Sequence, residues 1–249
     1  MIKMLRGKPI RPPKCPWSFR GAPGSEEDEH WFYNHIKDNI NTIYDVGASD
    51  NSIYLKFPGE VHYFEPTDRL EALKLKENKN EKSHFLNYGL SNTTSEDTKV
   101  TWETGGVLPR KDGTLEYFNI NGDLPIKNIK TVTGLEYMNR MNQKTVDFLK
   151  IDTEGHELEI IKGFGERITD VNIIQFEYSG INWAMNISML DIIDYLMQFG
   201  FCEFSYTAVN GLERIDVESF EDHYHWCNVA CFQRDFLDKL INHKTLFYK

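Results

Sequence analysis

The chain has 249 residues, 40% of them hydrophobic, and carries 28 basic against 38 acidic side chains for a net charge of −10. That length suits one α/β domain with extra segments, and the acidic balance disfavours a general nucleic-acid binder, whose footprint is a basic surface. No stretch supplies the roughly 18 uninterrupted apolar residues of a membrane span, and the start lacks the apolar core of a signal peptide, so a cytoplasmic protein without a span is expected.

Residues 1–24 read as a basic, proline-rich arm, because positions 1–20 hold six basic residues, no acidic ones and four of the nine prolines. Residues 25–249 are expected to form a single domain. Ser25 followed by Glu26-Glu27-Asp28-Glu29 predicts a capped helix to about Lys37, with Trp31, Phe32 and Ile36 on its apolar side. A first strand then ends near Asp45 and turns at Gly47, where a missing side chain permits positive φ and close approach of a ligand. Asn51 stands where a second glycine of such a turn is expected, and Asn best tolerates left-handed geometry after Gly. Ser49 and Ser52 occupy the other glycine places of a dinucleotide fingerprint, so a ligand without phosphates fits better.

The run Val61-His62-Tyr63-Phe64 closes on Glu65 and Pro66, 20 residues beyond Asp45. An ionised carboxylate at that strand end suits a ribose diol. Residues 66–79 predict an amphipathic helix, and Ser83 to Leu90 a third strand whose end, Gly89 and Leu90, would face an adenine. The polar segment 92–130, with Gly105-Gly106 and Asp112-Gly113 turns, reads as a β-rich excursion over the site. A strand over 128–133 then feeds a helix over 134–141.

The stretch Val146-Asp147-Phe148-Leu149-Lys150-Ile151-Asp152-Thr153-Glu154-Gly155-His156-Glu157 is an apolar strand, an acidic turn and the opening of a helix. Another strand, 171–178, ends in Glu177-Tyr178, and a helix over 188–199 carries Leu190, Ile193, Leu196 and Met197. The strands 202–208 and 228–233, separated by an Asn210-Gly211 turn, predict a closing antiparallel pair. A last amphipathic helix holds Phe236, Leu237 and Leu240. Cys15, Cys202, Cys227 and Cys231 lack paired spacing and read as reduced thiols, the last two in the core.

Asp45-Val46-Gly47-Ala48, Tyr63-Phe64-Glu65-Pro66, the Lys150-to-Glu157 string and Ile174-Gln175-Phe176-Glu177 together resemble the FkbM-type S-adenosylmethionine-dependent methyltransferase family. The resemblance runs from about residue 40 to 233. It implies a Rossmann-like seven-stranded, mostly parallel sheet with an antiparallel last strand and helices on both faces. It also implies S-adenosyl-L-methionine as cofactor and O-methylation of a hydroxyl on a sugar, glycan or other small molecule. By the same resemblance Asp45 and Gly47 would shape the methionine end of the cofactor, Glu65 would hold its ribose, and Asp152 would sit beside the sulfonium and the acceptor. The chain carries Ser49 and Asn51 where the family usually shows Asn and Gly.

Methyl transfer is an in-line displacement governed by positioning, with a base helping to deprotonate a weakly acidic hydroxyl. Asp152, Glu154, His156 and Glu177 are the candidates, Asp152 for orientation and His156 as a base that titrates near neutrality. No metal ligands are assigned, although an ion on Asp152 and Glu177 would also acidify a hydroxyl. His223, His225 and Cys227 read as packing, and Trp102, Tyr178, Trp183, Tyr224 and Trp226 as core, interface or a stacking floor for a sugar. A homo-oligomer stays open. Two other readings remain: an NAD(P)-dependent oxidoreductase, for which the glycine fingerprint is missing, and a catalytically silent binding module, motivated by Ser49 and Asn51.

Overall fold

The computed structural model describes residues 26–76, 80–103, 106–109, 126–208 and 211–242. The expected N-terminal arm, Cys15, the Ser25 cap, the end of the 66–79 helix, Gly105, Asp112-Gly113, Asn210 and the Trp102 side chain lie outside the described residues.

The chain enters through α1 (Glu26–Ile36), then β1 (Thr42–Val46), β2 (Glu60–Phe64), α2 (Arg69–Lys76) and β3 (Ser83–Leu86). An excursion follows, made of β4 (Gly89–Ser91), β5 (Ser95–Glu103), β6 (Gly106–Pro109) and β7 (Ile126–Thr133). The second half runs α3 (Gly134–Arg140), β8 (Val146–Ile151), α4 (Glu157–Gly163), β9 (Val171–Tyr178), α5 (Gly180–Ala184) and α6 (Met189–Met197). It closes with β10 (Phe201–Ala208), β11 (Gly211–Arg214), β12 (Cys227–Gln233) and α7 (Arg234–Asn242).

The main sheet has eight strands in the order β11-β10-β12-β9-β8-β1-β2-β3, with β3, β2, β1, β8 and β9 parallel and β12 antiparallel to β9. The expected strand inventory is thus exceeded by one. The extra strand, β11, is a short edge piece paired to β10 and follows directly after the expected turn. The expected third strand also divides. Ser83–Leu86 stays in the main sheet, whereas Gly89–Ser91 leaves it to pair with β7 in a second sheet of order β4-β7-β5-β6.

Period-two alternation sends the strand residues to two cores. Tyr44, Val46, Phe64, Leu149, Ile151 and Phe176 pack on one face with Tyr137, Ile160 and Ile192. Ile43, Val61, Tyr63, Phe148 and Ile173 pack on the other with Phe32 and Ile36 of α1 and Phe236 and Leu240 of α7. Because both faces are covered, β1 and β8 are buried almost throughout, which is why apolar residues dominate them on both faces. Ser188 and Asp191 start α6 with a reciprocal capping box. Its buried face is Met189, Ile192, Ile193 and Leu196, one step round from the expected one, and Met197 is 51% exposed.

Gly163 joins the two sheets: a Cβ there would lie 2.0 Å from the Ser91 carbonyl, so the end of α4 meets β4 backbone to backbone. Cys202, Cys227 and Cys231 are unbridged, the last two buried on β12. Among the described residues no helix is long and apolar enough to cross a membrane.

Candidate active site

The direction of connection reverses between β1 and β8, and open parallel sheets hold their ligands at such a point, beyond the strands' C-terminal ends. A cavity of about 290 Å³ lies there, walled by Val46, Phe64 and Leu90 from the first half of the chain and roofed by Thr98, Val100, Ile129 and Thr131 of the second sheet. It brings together ten of the twelve site residues expected from the sequence: Gly47, Ser49, Glu65, Pro66, Gly89, Leu90, Asp152, Glu154, His156 and Glu177.

Asp45 and Asn51 are the two it does not bring together. Asp45 is 1% exposed and lies under the loop, where Ser52 Oγ donates to its Oδ2 at 2.6 Å. Burial raises its pKa, with Lys150 and Ser52 opposing. It therefore shapes the loop from below and does not line the cavity. Asn51 is exposed and is not the left-handed residue; Gly47 (φ 81) and Ser49 (φ 53) are. Gly47 is required for a reason other than ligand approach: a Cβ there would overlap the Asp152 carbonyl at 1.8 Å.

Glu65 is 5% exposed, and each of its oxygens takes one backbone N–H, from Ser49 at 2.9 Å on Oε2 and from Thr67 at 3.0 Å on Oε1. Each oxygen keeps a second lone pair, which makes the group an acceptor of fixed orientation for a diol.

Asp152, Glu154 and Glu177 each place an oxygen within 4.8 Å of the others. Three carboxylates this close resist ionising together. Burial, then Asp152 and Glu157, pushes Glu154 up to about 7, and burial, then Asp152 and Glu154, raises Glu177 well above the carboxylate range. Such a trio also has the chemistry of an oxygen donor set for a divalent ion. Glu177 also accepts a hydrogen bond from the Trp226 indole N–H.

Lys150 supplies the compensating charge. It is 8% exposed, and its Nζ donates to Asp152 Oδ2 at 3.0 Å. Burial works against its charge, but Asp152, Glu29 and Asp45 more than offset this and raise its pKa. Glu29, reaching in from α1, is pushed up to about 7, chiefly by burial.

The acidic turn is held by Glu157, 1% exposed, whose Oε1 accepts from Thr153 N, Thr153 Oγ1 and Gly155 N at 3.2, 3.1 and 3.0 Å and whose Oε2 accepts from Asn182 at 2.9 Å. Glu154 is left-handed within it (φ 55), a strained state that these bonds sustain. Glu157→Ala strands the buried Gly155 N–H, the partly buried Thr153 N–H and the Asn182 amide, so a loss of about 3 kcal/mol is expected. At this chain length that is a fall in Tm of roughly 6–12 °C, to be read by thermal unfolding.

His156 is at the N-cap of α4 with its Nε2 3.0 Å from Ser91 Oγ, so it stands on the second-sheet side of the cavity. Of the expected aromatic floor, Tyr178 and Tyr224 belong to the core, stacked on each other, and Trp183 packs partly buried against it. Trp226 is 46% exposed, and its indole N–H bonds to Glu177, which lines the cavity. His223 pairs with Tyr206 at 2.8 Å, as packing requires.

Lys150 and Glu157 are the contributors that pattern reasoning did not assign. A lone Lys inside an apolar run beside an Asp was the available signal for the first.

A Rossmann-like sheet with an acid-rimmed cavity at its switch point defines a class of nucleoside-cofactor enzymes. The family model described as the methyltransferase FkbM domain matches residues 45–205, and the chain belongs to that family. No curated protein matches it. Similar solved structures include the N-terminal domain of human METTL16, with a TM-score of 0.40 and 11% identity over 82% of this chain and 67% of that one. Another is a METTL16 MTase domain, with a TM-score of 0.36 and 14% identity over 82% of this chain and 65% of that one.

Proposed function

We propose that the chain is an S-adenosyl-L-methionine-dependent O-methyltransferase whose acceptor is a hydroxyl of a sugar or glycan. The observation that carries this is Glu65, buried at the cavity's edge with both oxygens pre-oriented by backbone N–H groups and each able to accept once more. That arrangement suits a ribose diol, and the apolar Val46, Phe64 and Leu90 suit the adenine beside it. When bound, the cofactor would supply a sulfonium methyl group that a nucleophilic oxygen can take, with the sulfur leaving as a neutral thioether.

The chain's own residues then have distinct tasks. Asp152, fixed by Lys150, presents negative charge to a cation. Glu154, poised near neutrality, takes the hydroxyl proton, and Glu177 orients Trp226. His156, tied to Ser91, lines the acceptor side. An exposed indole offers a flat apolar face to a pyranose.

The test is transfer of labelled methyl from S-adenosylmethionine to a panel of glycans and nucleotide-sugars, with and without EDTA, beside an NAD(H) titration. Label in an alkali-stable sugar ether is expected, and Trp226→Ala should raise the acceptor KM about tenfold with cofactor affinity unchanged. Absence of S-adenosylhomocysteine binding, or label carried by RNA alone, would overturn the reading.

A further inference from the structure

On the face of the sheet that carries Phe64, but toward the other end of the strands, β2 and β3 set three metal-ligand side chains together. Glu60 and His62 are two apart on β2, so they share a face, and His62 is in register with His84 on β3. None of the three lines the cavity.

Glu60 Oε1 lies 3.2 Å from His62 Nε2 and 3.2 Å from His84 Nε2. Bonds of 2.0–2.1 Å at tetrahedral angles put neighbouring ligand atoms roughly 3.3 Å apart, the same spacing. His62 is completely buried, and its Nε2 lacks a hydrogen bond despite this distance, because the contact to Glu60 is misaligned. A buried polar atom without a partner calls for one. Its other nitrogen, Nδ1, is 2.6 Å from Tyr137 Oη, the kind of outer contact that sets the tautomer and orientation of a ligating imidazole.

We propose that Glu60, His62 and His84 are ligands of a zinc-type divalent ion, with water completing the set from the solvent side. Two imidazoles and one carboxylate with an open place are a recurrent zinc donor set. His84 now stacks on His62 with ring centroids 4.4 Å apart, and being 34% exposed it can turn its ring edge to the ion. Binding replaces a proton or a void with a bridge between β2 and the sheet's edge strand.

The test is titration of the full chain, without a histidine tag and after EDTA treatment and desalting, with ZnCl₂ by calorimetry and with CoCl₂ by visible absorption. One ion per chain at this cluster, tetrahedral cobalt bands, and a rise in Tm of about 5 °C at hundredfold excess over Kd are expected. Glu60→Gln and His84→Ala, at side chains about one-third exposed, should each weaken binding at least tenfold with far-UV circular dichroism unchanged. Glu154→Gln, in the other carboxylate cluster, should leave it intact. No binding, or binding that survives His84→Ala, overturns the proposal.

Discussion

Glu65→Gln is expected to weaken S-adenosylhomocysteine binding by about 10²-fold or more, the largest single effect on the cofactor side. The carboxylate makes two jobs coincide: it fixes the Ser49 and Thr67 N–H groups and still offers a lone pair on each oxygen. An amide of the same size can do this at only one oxygen. Whichever way it turns, its NH₂ faces a backbone N–H on one side, and a ribose hydroxyl on that side meets a donor instead of an acceptor. Hydrogen bonds to a charged group contribute about 1.5–3 kcal/mol each, so losing one and leaving its neighbour unmatched gives the stated factor. Calorimetry with S-adenosylhomocysteine measures it, and Tm separates a local from a global defect. Asn51→Ala is the control: exposed and outside the cavity, it should change affinity less than about threefold. Equal losses in both variants would mean that the loop, and not the carboxylate, holds the ligand.

The contrast between Glu65 and Asn51 shows where pattern reasoning reaches. Glu65 was legible because a buried strand, its terminating acid and the spacing from Asp45 all lie in one local run. Loop torsions are not encoded so locally. Asn is the better left-handed former, yet it is Ser49 that turns, because its N–H is claimed by Glu65 from another strand. Likewise β8 was plain from its apolar run, but the meaning of Lys150 within it depends on Glu29, which lies on α1 more than a hundred residues earlier. The departure of β4 from the main sheet goes with its pairing to β7, and the close approach at Gly163 that accompanies it is one of which a glycine gives no sign. Glu157 sat inside the recognised string, but its four hydrogen bonds include one to Asn182 on α5. Period and strand-end chemistry thus picked out residues that share one cavity; the contacts that rigidify it are long-range.

A pH profile should expose Glu154. With that carboxyl at about 7, kcat/KM, which reports groups of the free enzyme, is expected to rise with pH through about 7 and then level off. Since Asp152, Glu154 and Glu177 interact, the midpoint belongs to the group as a whole. Stability should move the opposite way. A carboxyl whose folded pKa is raised from 4.5 to about 7 retains in the native state a proton that the unfolded chain gives up. Unfolding then releases protons between those values, and stability falls as pH rises across that window. Glu154→Gln should abolish the rising limb, lower kcat by about 10²-fold and remove its share of the stability decline. His156→Gln should leave the limb in place. If instead His156→Gln flattens the profile and Glu154→Gln does not, the proton goes to the imidazole beside Ser91, and the acidic turn serves only to present negative charge to the cofactor.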